Sequence, residues 1–185
     1  MQGSLKEPNT ADWNVVVTLA EDGFREAVRL LRKWGKVERT HYYNVLAMKV
    51  EDIDAFLADF AKAIADSPGI LNLVSHVVPL RCTFEFATAE EFEDRARAMA
   101  LTLVPLLRGK SLHVRLHRRG FKGALSTPKE EQFLDRVLMT ELGQASRISF
   151  SDADAVIQIE TIDGRAGMSL WSRDELQQCP FLGVD

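Results

Sequence analysis

Cysteine is scarce in this 185-residue sequence: Cys82 and Cys179 are the only two, and they lie far apart. That excludes the disulfide framework on which small secreted domains depend, and it fits isolated reduced thiols. No apolar run approaches the ~20 residues needed to span a bilayer, and the N-terminus has no apolar signal segment. These absences point to a cytoplasmic protein without a membrane partner. Glycine-rich phosphate loops of the Walker or dinucleotide type are missing, because no Gly cluster follows a strand and opens a helix. No nucleophile elbow occurs. His113 and His117 have the i, i+4 spacing of helical zinc ligands, but on a strand they would stand roughly 13 Å apart, too far for one ion. Paired acids such as Glu90 with Glu91, or Asp152 with Asp154, are explained by capping, turn formation or solvation. The expectation is a chain that is not an enzyme and carries neither metal nor cofactor.

An excess of positive charge is lacking too, with 23 Lys and Arg against 27 Asp and Glu and a net charge of −4. The distribution is uneven, however. Nine of the basic residues and no acid fall between Arg95 and Lys129, leaving 14 basic against 27 acidic residues elsewhere. An anionic partner would meet one face only. Within this window, residues 108–122 read RGKSLHVRLHRRGFK, where Leu112, Val114 and Leu116 alternate with His113, Arg115 and His117. That is the period of a strand with one face on a core and the other in water. Arg119 extends the polar row. Its members recur at roughly 6.5 to 7 Å, a repeat that suits the phosphates of a nucleic-acid backbone. Phe121, after Gly120, either stacks on a base or plugs the core.

Residues 1–11 are polar and read as a disordered tail. Trp13 to Leu19, WNVVVTL, has the β-branched run of a strand buried on both faces. A helix follows, capped by Asp22, with Phe24, Ala27, Val28, Leu31 and Trp34 inward and Gly35 at its C-terminal cap. Arg25, Arg29, Arg32 and Lys33 cover its outer side, as a solvated face or a second phosphate contact. Residues 36–50 read as one or two strands. Glu51 and Asp52 then place negative charge at the start of a helix with Ile53, Phe56, Leu57, Phe60 and Ile64 inward, and residues 70–80 form another strand. This order is that of a ferredoxin-like unit.

Cys82 to Phe86 continues the strand or bridges to a second unit, and Thr88 with Glu91 spells a capping box for a helix that Pro105 bends or terminates near its end. Thr127, Pro128 and Glu130 spell a second box, for a helix that Gly143 stops. Residues 155–162 and 165–171 flank Asp163-Gly164, a type I′ hairpin signal.

Residues 111–174 resemble a THUMP domain, an α/β module of proteins that act on tRNA. The resemblance rests on SLHVRLHRRG, the helix opening at Thr127, and the SDADAVIQIETIDGRAGMSLWSR hairpin. These are similar to the family's basic strand, its following helix, and its aspartate-containing turn and final strand pair. The chain looks most like stand-alone members such as the adaptor that assists tRNA cytidine acetyltransferase, because it ends just after the module. The fold class implied is α/β (α+β). A tail at 1–11 leads into a ferredoxin-like unit at 12–80, a THUMP-like RNA-binding unit at 81–174 and an irregular C-terminal tail at 175–185. The partners implied are tRNA, held near its acceptor stem, and a separately encoded modifying enzyme. The expected RNA contacts are Arg115, Arg118, Arg119 and Lys122, with Arg108, Lys110 and Lys129 at the margin, His117 as a donor and Phe121 as the stacking residue. A rival reading is a ferredoxin-like domain that binds a protein or a small anionic metabolite, which the acidic overall balance favours.

Overall fold

The computed structural model describes residues 12–21 and 23–184. The expected tail at 1–11 and the Asp22 cap lie outside the described residues. The chain divides into two compact units, the first ending at Val78 and the second beginning at Pro79.

The first unit holds β1 (Val15–Leu19), α1 (Phe24–Leu31), β2 (Lys36–Arg39), β3 (Val45–Lys49), α2 (Ile53–Asp66) and β4 (Val74–Pro79). Its sheet order, β2-β3-β1-β4, is the ferredoxin-like arrangement. β1 pairs antiparallel with β3, and Val15, Val16 and Val17 are all buried, so the β-branched run is covered on both faces. Trp34 follows α1 and meets Phe56 and Phe60 of α2 edge-on, with centroids 6.0 and 5.4 Å away. Asp52 caps α2 by accepting from the Ala55 N–H at 2.9 Å. Two expectations need correction. Gly35 is not the cap of α1, which ends at Leu31 with Arg32 as C-cap. Gly35 has no Cβ because one would stand 2.1 Å from the Lys49 carbonyl oxygen. Residues 70–73 are not strand: a 3-10 turn at Pro68–Asn72 precedes β4, as a Pro-Gly start allows.

The second unit holds β5 (Cys82–Glu85), α3 (Ala89–Thr102), α4 (Val104–Leu107), β6 (Ser111–His117), α5 (Thr127–Leu142), β7 (Arg147–Ile148), β8 (Ala155–Ile162), β9 (Arg165–Ser172) and α6 (Arg173–Gln178). Its five strands run in the order β5-β9-β8-β6-β7. β6 is parallel to β7 and β8, with α5 as the crossover, whereas β8–β9 and β5–β9 are antiparallel. Leu112, Val114 and Leu116 of β6 and Ile157 and Ile159 of β8 point toward one core, which also takes Phe92 and Ala96 of α3 and Leu134 and Leu138 of α5. The Asp163-Gly164 hairpin forms as its signal requires, with Asp163 at φ 51°. Pro105 separates α4 from α3. The α/β class, with a ferredoxin-like first unit and a THUMP-like second one, is the fold observed.

Three local signals take a different form in the fold. Thr88 accepts from the Glu91 N–H at 3.1 Å, but the Glu91 carboxylate accepts from Ala87 instead of closing the box on Thr88. Thr127 is the first helical residue of α5, and Ser126 precedes it without a side-chain cap bond. Glu130, three residues after Thr127, is fully buried. The expected irregular tail from 175 is corrected over residues 175–182: Ser172 and Glu175 form a complete capping box, α6 follows, and Phe181 and Leu182 are buried in a 3-10 turn.

Candidate nucleic-acid interface

The basic strand is more enclosed than its alternation implies. β6 lies inside the sheet, and its second face is covered as well as its core face. His113 is only 5% exposed, and its Nδ1 lies 2.7 Å from the Ser149 carbonyl oxygen. Burial, the leading cause, lowers the pKa of that imidazole. The register sets Arg115 beside Gln158 and His117 beside Glu160 on β8, every residue of which is buried. Trp171 of β9 donates its indole N–H to Gln158 at 2.9 Å, and Gln158 donates to the Gly183 carbonyl. The expectation of a polar row open to water is therefore corrected: the row begins buried at His113 and reaches solvent only at His117.

The acid-free window meets its acids in space. Glu160, 1% exposed, takes His117 Nδ1 at 3.1 Å on one carboxylate oxygen and the Arg119 guanidinium on the other. Arg119 is further fixed by reciprocal hydrogen bonds between its backbone and the Thr161 hydroxyl. From α5, Asp135 accepts from the Val114 N–H at 3.2 Å and Glu131 from the Leu116 N–H at 2.8 Å. Two carboxylates four residues apart on the helix thus serve the strand edge that the two-residue β7 leaves unpaired. Burial raises the Asp135 carboxyl to about 6, against the Val114 bond that lowers it.

Of the nine expected residues, Arg115 lies half-buried within β6 and the other eight fall into two groups at its opposite ends, roughly 20 Å apart for a seven-residue strand. Past its carboxyl end, Arg118 folds back to donate to the Gly120 carbonyl and Arg119 is held by Glu160, while Lys122 is exposed and forms no ion pair among the described residues. Lys129, on the first turn of α5, lies 3.7 Å from Glu93. Phe121 is half-buried at φ 51° and packs on Phe86 with centroids 4.8 Å apart, so it plugs the core edge and is not a free stacking surface. Gly120, at φ 94°, lies under the hairpin turn, where a Cβ would come within 2.8 Å of the Asp163 Cα.

At the amino end the cations are free. Arg108 and Lys110 are exposed in the turn from α4 into β6, and neither meets an acid among the described residues. Ser111↔Arg147 pairing brings a third exposed cation beside them, and Arg147 also lacks an ion pair among the described residues. Three residues on stands Phe150, 66% exposed, its ring 6.1 Å from that of His113. Asp154 fixes this end by accepting from the Ser111 N–H and hydroxyl, each at 2.8 Å, bonds that hold its carboxyl below the usual carboxylate range. Arg147 and Phe150 escaped the linear reading because β7 follows β6 by some thirty residues and joins it only through parallel pairing. Their signal was RISFSD, a short exposed basic-aromatic segment just before the resemblance's aspartate turn.

Among the described residues no group of three or more His, Cys, Asp and Glu could hold a metal ion, and no helix is long and apolar enough to cross a membrane. The second unit also has a cavity of about 340 Å³ walled by Met99, Leu103, Leu106, Met168 and Leu170, with Lys110 at its lining.

No protein-family model and no curated protein matches the sequence. Solved structures do match in fold. The chain is similar to PH1313 of Pyrococcus horikoshii (TM-score 0.58, 13% identity, 87% of this chain and 55% of that one) and to TrmN of Thermus thermophilus (TM-score 0.57, 16% identity, 85% and 44%). It is also similar to a 4-thiouridine synthetase solved as an RNA complex with bound ATP (TM-score 0.54, 14% identity, 87% and 42%). The chain therefore spans about half the length of the proteins it matches, and at these identities what is shared is the two-unit fold.

Proposed function

We propose that this chain is a non-catalytic RNA-binding module that grips tRNA near its acceptor stem and presents it to a separately encoded modifying enzyme. The observation that carries this reading is the open set at the amino end of β6: Arg108, Lys110 and Arg147, all free of ion pairs among the described residues, beside the exposed ring of Phe150. The fold shared with a synthetase solved in an RNA complex supports it. Because the major groove of A-form RNA is closed to side chains, the three cations would bind backbone phosphates and 2′-hydroxyls. Phe150 would stack on an unpaired base, a contact indifferent to base identity. Lys122, with Arg118, Arg119 and His117 behind it and Lys129 on α5, forms a second and weaker set. Arg115 reaches it only from a half-buried position.

The test is binding of bulk tRNA across a salt series, for the wild type and for Arg108→Ala/Lys110→Ala/Arg147→Ala. Expected is a steep salt dependence that the triple substitution flattens. Binding indifferent to salt, or unchanged in the variant, would overturn the assignment. A second reading has its own observation. The 340 Å³ cavity, apolar with Lys110 among its lining, suits a small amphipathic anion. Protection of Lys110 from acylation by such a metabolite, with no tRNA binding, would favour it.

A further inference from the structure

The first unit carries a separate concentration of positive charge. Arg25, Arg29 and Arg32 occupy one stripe of α1 and its C-cap, and Arg39 closes the edge strand β2. All four line one concavity of about 290 Å³, together with only Val28 and Val37. None of the four forms an ion pair among the described residues. Glu38, the nearest acid on β2, is bound to Lys36 at 2.5 Å, and strand alternation turns both away from the face that carries Val37 and Arg39. Glu26 is exposed on α1 but is not part of the lining. The Arg39 guanidinium lies 4.3 Å from the Phe24 ring centroid, which fixes one wall of the cluster.

The chemistry of this groove is specific. Guanidinium forks match phosphate oxygens in pairs, and four of them around one concavity repel each other until an anion enters. Arg25 and Arg32 are seven residues apart, about 10 Å along the helix, which exceeds one phosphate group and suits a linear polyanion. The rest of the lining is aliphatic and the Phe24 ring beside it is covered by the Arg39 guanidinium, so no free ring is left to stack a base and no lining side chain is an acceptor that could read one. We propose that this arginine-lined groove is a second phosphate-binding site, which holds two or more consecutive backbone phosphates of an RNA strand without regard to sequence. The identity of the polyanion rests on the RNA-binding reading above; the site itself does not.

The experiment compares the full chain with Arg25→Gln/Arg29→Gln/Arg32→Gln, using bulk tRNA in a salt series and inorganic tripolyphosphate in a thermal-shift titration. Because these side chains are exposed, the melting temperature of the ligand-free variant should match the wild type. Expected is a tRNA affinity about tenfold weaker at moderate salt and a salt slope shallower by about 2. A matched Arg→Lys triple variant should restore most of the slope. Unchanged tRNA binding here, with loss in the Arg108/Lys110/Arg147 variant, would overturn this site and leave the RNA reading standing. A wild type that binds tripolyphosphate through the groove but no tRNA would keep the site and overturn RNA as its ligand. Binding of neither would overturn both.

Discussion

The two ends of β6 carry similar numbers of positive charges and use them differently. At the carboxyl end Arg118, Arg119 and His117 are engaged by Gly120 and Glu160, and the loop is fastened to the β8–β9 turn by the Asp163 N–H donating to the Arg119 carbonyl at 2.9 Å. At the amino end Asp154 fastens the Ser111 N–H and hydroxyl and the Ser146 hydroxyl accepts from the Gly109 N–H, while the side chains of Arg108, Lys110 and Arg147 are left in solvent. A cation paired to a buried carboxylate holds a fold together, and its removal strands the partner's charge. A cation in water contributes little to stability and remains available to a phosphate. Counting basic residues along the chain cannot separate the two cases.

Substitutions at each end test that contrast. The largest effect expected is in stability: Arg119→Ala leaves Glu160 buried without its guanidinium and should lower the unfolding free energy by about 3 kcal/mol, read as the shift of a denaturant midpoint. A shift under about 0.5 kcal/mol would show that the pair is solvent-screened and erase the distinction between the ends. Arg108→Ala/Lys110→Ala/Arg147→Ala should leave that midpoint in place and reduce the salt slope of tRNA binding by about 2 to 3. Phe150→Ala should weaken binding of a tRNA with an intact unpaired end by about 1 to 2 kcal/mol and do little once that end is removed. Equal losses for both RNAs would mean that the ring serves the fold.

The smallest effect concerns pH. Glu130 is fully buried, neither carboxylate oxygen meets a donor, and burial first and the adjacent Glu93 second raise its pKa to about 7. Its folded-state value thus lies above the unfolded one, so between about 4.5 and 7 the folded chain retains a proton that the unfolded chain has lost. Stability from this group is complete below pH 4.5 and declines as pH rises to 7; Asp135, raised to about 6, adds to the decline. Glu130→Gln should flatten the fall in melting temperature between pH 5 and 8. An unchanged slope would assign the pH dependence elsewhere.

Much was legible in local patterns. The buried β-branched run of β1, the acidic N-terminus of α2, the Pro105 break and the Asp163-Gly164 turn depend on neighbours within a few residues, where backbone sterics and local charge act. Where the signal required partners far along the chain, it misled. Alternation in β6 could not report that its second face is enclosed at His113, which packs by Ser149 and Phe150, and a window free of acids could not report Glu160, Glu131 and Asp135. Phe121 could be read as a base-stacking ring or as a core plug, and only the contact with Phe86 favours the plug. The sequence by itself determined the order of the longer helices and strands and the presence of a basic region. Tertiary structure alone decided which cations remain free, because charge neutralisation depends on distance in space, and parallel pairing brings together residues that some thirty to forty positions of chain hold apart.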